Sequence, residues 1–352
     1  MRRISGAAQH YDWGDHEAIP AILGLAADGR PWAEWWLGTH PGAPATIVGG
    51  GPLADTSGEL PFLLKLLAAA HPLSMQTHPT AAQAAVGFAR EEGGGLAIDA
   101  RTRLYHDPFA KPELLCALTQ FDVLCGFRPA GETEALLHEL GATEVSAALR
   151  QAGLPNLLVD LYRGHIDPAS TIAACARSPR PEAELVRNLW RQYPGDPSVV
   201  VTLLLNRLTL RPGQAIYLGP GNLHAYLHGV GVEVMGSSDN VVRGGLTSKH
   251  VDVDELLSVV DVVPIADPLV VPVEVEPGRW RYPTAGTPFT LWRFDITSTM
   301  PHTAIGRELL LCTQGDVGVL HHGESVYLAP GESVVLGGPS TVFCAQEATG
   351  PV

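Results

Sequence analysis

The chain has 352 residues, 45% of them apolar and 17% charged, with a formal net charge of −14. That length supports two or perhaps three structural units with an ample core. The acidic balance excludes a broad basic face for nucleic acid, because 23 Lys and Arg stand against 37 Asp and Glu.

The first residues, Met-Arg-Arg-Ile-Ser-Gly-Ala-Ala-Gln-His, lack the long apolar segment of a secretion signal. Residues 1–125 alternate short apolar runs with Gly and Pro turns, and 31–38 and 45–48 are expected strands. Residues 61–67 suit a buried strand or a short helix equally well. The longest apolar stretches, 62–64 and 66–70, are interrupted by Lys65 and too short to span a bilayer.

The texture changes near Arg128. Helical patterns fill 133–140, 145–150 and 181–190; the last opens on Pro181 with Glu182 and Glu184 in its first turn. This reads as an inserted helical subdomain, ended by the Pro-Gly-Asp-Pro run at 194–197. Strands are expected to resume at 199–204 and to continue through 215–218. Residues 252–260 read as one short helix, 264–278 as an ordered linker, and the remainder as strand.

One internal repeat stands out. Residues 210–218 (Leu-Arg-Pro-Gly-Gln-Ala-Ile-Tyr-Leu) resemble 328–336 (Leu-Ala-Pro-Gly-Glu-Ser-Val-Val-Leu) at a constant offset of 118. A Pro-Gly turn feeding an alternating strand is common in jelly-roll barrels, so the repeat predicts two barrels in tandem. The first copy leads to His224 and the second to Val342, which assigns any metal chemistry to the first barrel.

Five scattered cysteines form no Cys-x-x-Cys pair. They read as buried free thiols in a reducing compartment, and the chain as cytoplasmic, without a membrane or nucleic-acid partner.

Cations are distributed unevenly: 20 are arginines and only Lys65, Lys111 and Lys249 are lysines. Each lysine lies in or beside a dense polar motif, and a compact ammonium can approach an anion closely or lose its proton when desolvated. Gln76 and His78 are two apart, so on a strand they share a face, together with Ser74. Lys111 and Glu113 also share a face if extended, as Pro112 encourages. A Gly/Pro turn at 220–221 exposes His224 at the mouth of the next strand, with Tyr226 beyond it. Two imidazoles, a carboxylate and an amide oxygen suit a zinc-type divalent ion with exchangeable positions, acting as a Lewis acid. The run 233–249 adds Glu233 for proton transfer, and Arg243 and Lys249 as a phosphate clamp or a stabiliser of a developing oxyanion. A small pocket can hold such positive charge inside an acidic shell.

These residues resemble the type I phosphomannose isomerases (mannose-6-phosphate isomerases), in ordered blocks over roughly the first 262 residues. The blocks are 9–14 (Gln-His-Tyr-Asp-Trp-Gly), 18–24, 33–41 (Ala-Glu-Trp-Trp-Leu-Gly-Thr-His-Pro), 72–79 (Pro-Leu-Ser-Met-Gln-Thr-His-Pro), Lys111-Pro-Glu113, 221–226 and 238–249. The resemblance implies a mainly β bicupin, two tandem cupin/jelly-roll barrels with an inserted α-helical subdomain. The expected division is a catalytic barrel at 1–127 and 196–263, a helical insert at 128–195, and a C-terminal barrel at 264–352 lacking metal ligands.

The resemblance further implies one zinc per chain, held by Gln76, His78, Glu113 and His224, and interconversion of mannose 6-phosphate and fructose 6-phosphate. It makes Arg243 catalytic and places Ser74, Lys111, Glu233 and Lys249 in the active site. An enediol route needs a proton moved between C2 and C1, with Glu233 the first candidate for the shuttle and Lys111 the second. Ser74 and Lys249 would hold the phosphate, with Tyr226 and Lys65 completing the substrate-binding set. The expected partner is a phosphorylated hexose, and the expected assembly a monomer or weak homo-oligomer. The family usually has Arg-Ala-Gly after Val-Val where this chain has Arg243-Gly244-Gly245, and Ser248 replaces a common proline. Both point to a less rigid loop. The rival readings are a related cupin isomerase on another sugar or phosphosugar, a cupin metal oxygenase, and a non-catalytic sugar-binding module.

Overall fold

Two large antiparallel sheets carry the chain, described here for residues 1–315 and 318–348 of a computed structural model. The strand Phe62–Ala69 shows why they stack. All eight of its residues are buried, so both of its faces are covered. Leu64, Leu66 and Ala68 pack against Phe289, Leu291, Leu309 and Phe343 of the second sheet. Leu63 and Leu67 face the interior of the first unit, near Met235 and Leu115 respectively. Alternation puts Lys65 on that interior side. The ambiguous run at 61–67 is thus a strand, buried by a neighbour on each face.

The strand His224–Gly236 turns the corner of the first unit. Its first part pairs with Phe121–Phe127 and its second part with Phe62–Ala69 and Glu113–Ala117. The register shifts between Tyr226 and His228. Gly229 follows at φ 132°, where a Cβ would lie 2.7 Å from the Gln120 carbonyl oxygen. This bulge changes the parity of the strand. Even-numbered His224 and Tyr226 face inward before it, and odd-numbered Glu233 and Met235 after it.

Helices fill the expected insert: Ala130–Leu140, Thr143–Tyr162, Ala169–Cys175 and Pro181–Gln192. The expected strand at 199–204 is instead a short helix, Ser198–Val201, continued by the 3-10 turn Thr202–Leu204. The β-branched run is overridden locally. Asp196 accepts the Ser198 N–H at 2.9 Å, and the Thr202 hydroxyl donates to the Val199 carbonyl at 2.7 Å. The turn is buried in the core of the insert, and burial outweighs intrinsic preference. The sheet resumes at Leu205–Leu210. A further helix, Ala81–Gly93, starts on a capping box between Thr80 and Gln83.

The segment 264–278 is more than a linker. Leu269–Val270 pairs with Ala215–Leu218 of the first sheet, and Val273–Glu276 pairs with Arg279–Tyr282 of the second. The second sheet also recruits the N-terminal strand Arg2–Ser5, opposite Ser325–Leu328.

The repeat read at an offset of 118 has a topological counterpart. Ala215–Leu218 pairs with Glu113–Ala117 as Ser333–Gly337 pairs with Thr299–Thr303. Likewise His224–Gly236 pairs with Phe121–Phe127 as Ser340–Glu347 pairs with Glu308–Gly315. Through these ladders Glu113, opposite Leu218, corresponds to Met300, opposite Leu336. His224 corresponds to Val342. Both counterparts belong to the apolar core of the second unit.

Candidate active site

Three adjacent strands bring the sequence motifs into one row. Gln76 pairs with Arg243 on one side and with His224 on the other. His78 lies just past the strand Met75–Thr77, and Glu113 opens the strand Glu113–Ala117. The His78 Nε2 lies 3.2 Å from one Glu113 oxygen, and the His224 Nε2 lies 3.6 Å from the other. The His78, Glu113 and His224 ligand atoms all fall within 4.8 Å of one another.

Both histidines are oriented from behind. The Nδ1 of His78 lies 2.8 Å from the Asn240 carbonyl oxygen, and that of His224 lies 2.9 Å from the Asn222 carbonyl oxygen. A carbonyl only accepts, so each Nδ1 carries the proton and each Nε2 turns a lone pair on the shared point. The His78 Nε2 and a Glu113 carboxylate oxygen are buried without a hydrogen-bond partner. Such orphans cost about 1–3 kcal/mol each unless a cation satisfies them. Gln76 turns its amide nitrogen toward His224 at 3.4 Å and its oxygen toward the Ser74 hydroxyl at 3.5 Å. A half-turn of that amide exchanges the two and presents the oxygen as a ligand.

The electrostatics agree with a cation site. Burial alone would raise the Glu113 carboxyl, but His78 and Lys111 outweigh it and hold it well below the usual carboxylate range. Burial pushes His224 down to about 4, so its imidazole stays neutral and able to ligate. With no thiolate in the set, the donors suit a catalytic zinc-type ion.

A second cluster in the C-terminal unit makes a useful contrast. His302, Glu308 and Cys344 also offer ligand atoms within 4.8 Å. There Arg279 donates to the His302 Nδ1 at 3.3 Å, which leaves the ring proton on Nε2, 2.6 Å from Glu308. Every donor is matched, and a shared proton occupies the place a metal would need.

The row opens into a cavity of about 650 Å³. Lys65, Ser74, Gln76, Lys111, Arg243 and Lys249 are on its wall, so most of the expected site residues converge. The Lys111 ammonium lies 3.3 Å from Glu113. Burial lowers the pKa of Arg243, and burial together with Arg243 lowers that of Lys249. No carboxylate compensates either group among the described residues. Two uncompensated cations at one end of a cavity form an anion site.

Tyr226 and Glu233 are not on that wall. They are 3% and 2% exposed and lie behind it. The Tyr226 hydroxyl donates to Glu233 at 2.7 Å. The Lys65 ammonium lies 3.2 Å from Glu233 and 3.4 Å from Glu34, and 5.1 Å from the centre of the Trp36 ring. Burial pushes the Glu233 carboxyl up to about 7. Burial opposes the Lys65 charge, yet Glu34 and Glu233 overcome it and raise its pKa.

Several site residues escaped the motif reading. Glu34 and Trp36 line the cavity, and the Trp36 indole N–H donates to Glu34 at 2.7 Å. Their spacing of two was a usable signal for a shared face. Asp239 lines it too, 3.3 Å from the His40 Nε2. Tyr193 reaches it from the helical insert, and no sequence signal ties that residue to the barrel.

A buried metal-ligand triad, next to Gln76 on the wall of a cation-rimmed cavity in a β unit, defines a metal-dependent enzyme site acting on an anionic ligand. The family description "Phosphomannose isomerase type I, catalytic domain" matches residues 50–130. The mannose-6-phosphate isomerase of Salmonella typhimurium is 32% identical, covering 96% of this chain and 95% of that protein. The Homo sapiens mannose-6-phosphate isomerase is 30% identical, covering 89% and 87%. The crystal structure of the Salmonella typhimurium enzyme bound to substrate (fructose 6-phosphate) and zinc superposes with a TM-score of 0.83 at 29% identity, covering 99% of both chains. Its apo form gives the same score, identity and coverage. The chain belongs to the type I phosphomannose isomerase (mannose-6-phosphate isomerase) family.

Proposed function

We propose that this chain is a zinc-dependent aldose–ketose isomerase interconverting mannose 6-phosphate and fructose 6-phosphate. One observation carries the reading: partnerless ligand atoms of His78 and Glu113 lie behind Gln76, on the wall of a cavity that also holds two uncompensated cations. His78, Glu113, His224 and the flipped amide of Gln76 hold one zinc. Zinc at this point would supply Lewis-acid polarisation of a sugar oxygen.

The chain's own residues then divide the work. Lys249 and Ser74 receive the phosphate. Arg243, next to Gln76 in the ladder, faces the developing negative charge on the sugar oxygen. The C2-to-C1 proton needs a carrier on the cavity wall. Lys111 meets that requirement, whereas Glu233 reaches the wall only through Lys65. With Glu113 committed to the metal, the Lys111 ammonium, on the cavity wall beside Glu113, is free to turn toward the sugar. Glu233, Glu34 and Tyr226 hold Lys65 in place.

The fold reading that goes with this function is a bicupin: catalytic barrel at 1–127 and 196–263, helical insert at 128–195, second barrel at 264–352. The matched ladders of the two units support it. Five buried cysteines with no disulfide among the described residues favour the cytoplasm, and no described helix is long and apolar enough to cross a membrane.

The test is turnover of mannose 6-phosphate by purified protein before and after chelation. Activity lost on chelation and restored by zinc is expected. Full activity in the metal-free protein, or iron-dependent oxygen consumption instead of isomerisation, would overturn the reading.

A further inference from the structure

The loop 242–249 carries both Arg243 and Lys249, and it is held by Tyr162 of the helical insert and by Asp196 and Ser198 of the turn that leaves it. Gly245 has φ 128° and Leu246 φ 51°. For a leucine the left-handed region costs about 1–2 kcal/mol, so its surroundings must impose it. Those surroundings are the helical insert and the turn 196–198 that leaves it. The Leu246 N–H donates to Asp196 at 2.8 Å and to the Ser198 hydroxyl at 3.1 Å. The Tyr162 hydroxyl donates to the Gly244 carbonyl oxygen at 2.6 Å. The Leu246 side chain is 1% exposed, within the same core cluster as Leu157 and Leu161 of the insert and Val199 just after it. A Cβ at Gly245 would meet the Ser198 hydroxyl at 2.1 Å, so the loop tucks directly under the insert.

We propose that the helical insert, together with the turn 196–198 that leaves it, is the device that sets selectivity for the phosphate group, with Tyr162, Asp196 and Ser198 as positioning residues for the cation loop. The inference rests on the isomerase reading and adds a role for a segment that contributes none of the metal ligands. The Gly244–Gly245 pair makes the loop intrinsically loose. Anchors on both sides of Gly245 remove that freedom and fix where Arg243 and Lys249 stand relative to each other. Without them the loop could relax toward ordinary backbone angles and carry the two cations apart. Binding of a dianion should then weaken, while the metal centre, built on other strands, keeps its ligands.

The experiment compares Tyr162→Phe, Asp196→Ala and Asp196→Asn with the parent enzyme. Four quantities are read: zinc content, kcat, KM for mannose 6-phosphate and for unphosphorylated mannose, and the inhibition constant of inorganic phosphate. Tyr162→Phe and Asp196→Ala are each expected to raise the phosphosugar KM and the phosphate inhibition constant about 5–10-fold, the worth of one hydrogen bond or somewhat more. Zinc content and the KM for mannose should not move, and any fall in kcat from displacement of Arg243 should be the same for mannose and mannose 6-phosphate. Asp196→Asn keeps one of the two acceptor oxygens that serve the Leu246 and Ser198 N–H groups and should therefore restore part of the phosphate affinity. Equal rises for mannose and mannose 6-phosphate, or an unmoved phosphate inhibition constant, would overturn the proposal. Direct calorimetric titration with inorganic phosphate separates the two readings. A parent protein that binds phosphate but leaves mannose 6-phosphate unconverted defeats the isomerase reading, and loss of that binding in the variants still supports the anchor.

Discussion

Replacing Lys65 by methionine removes the cation that two buried carboxylates share. Lys65 is 4% exposed and lies 3.2 Å from Glu233 and 3.4 Å from Glu34, which are 2% and 6% exposed. At an effective dielectric near 20, each contact is worth about 5 kcal/mol before desolvation is counted. Methionine restores much of the volume but none of the charge. Breaking a buried pair from one side costs about 3–5 kcal/mol, because the partners remain buried and uncompensated. The cost should depend on pH. Glu233 has its folded pKa raised from 4.5 to about 7, so its ionisation opposes the fold. Stability from this group is full below the unfolded value and is lost as pH rises toward the folded one. Removing Lys65 raises the folded value further, and the loss then continues past neutrality. Denaturant titration should therefore show a deficit of about 3–5 kcal/mol at about pH 8.5 that shrinks to roughly half at about pH 5.5. Adding Glu233→Gln to the same chain should recover much of the deficit at the higher pH. A deficit that is independent of pH, or that Glu233→Gln leaves untouched, would refute the charge-sharing argument.

Three further outcomes are expected. Lys249→Ala should raise the KM for mannose 6-phosphate by about 10-fold or more, the worth of a charged hydrogen bond, and leave that for mannose unchanged; equal effects in steady-state assays would remove Lys249 from phosphate binding. Asn240 accepts the His106 N–H at 2.7 Å and donates to the Asp107 and Phe109 carbonyl oxygens, while its own carbonyl orients His78. Asn240→Ala should lower zinc affinity about 10–100-fold in a chelator competition, and an unchanged affinity would contradict the orienting role. His224 is lowered from 6.5 to about 4, so protons should compete for the site only as pH falls toward that value. Zinc retained per chain, measured after dialysis across pH, should hold to about pH 5, whereas release centred near pH 6.5 would contradict the shift.

What the sequence made legible was local. Gln76 and His78, or Lys111 and Glu113, are close enough along the chain for strand alternation to aim them together. Their meeting with His224 needed the motif set as a whole, since a ladder contact between residues 76 and 224 leaves no local trace. The Lys65 cluster was hidden for the same reason: Glu34 and Glu233 come from strands on opposite sides of Phe62–Ala69. A bulge at Tyr226–His228 also inverts the facing of the later half of its strand, which the alternating pattern alone cannot reveal. Other misses were failures of weighting. The Thr80-x-x-Gln83 signal for the helix Ala81–Gly93 was present in the sequence. The valine run at 199–201 favours a strand by its β preference, while its burial against the insert decides its shape. The loose loop expected from Gly244–Gly245 is a property of the segment alone. Its anchors, Asp196, Ser198 and Tyr162, are far away in sequence.

The central claim is that one divalent ion, held by four separated side chains, makes the cavity catalytic. Glu113→Ala tests it most directly, because Glu113 touches both imidazoles and Lys111. Zinc per chain by elemental analysis should fall from near one toward zero, with turnover of mannose 6-phosphate falling in parallel by at least about 10³-fold, as for loss of a principal electrostatic group. A Glu113→Ala protein that isomerises mannose 6-phosphate at the parent rate with no metal bound would contradict the account.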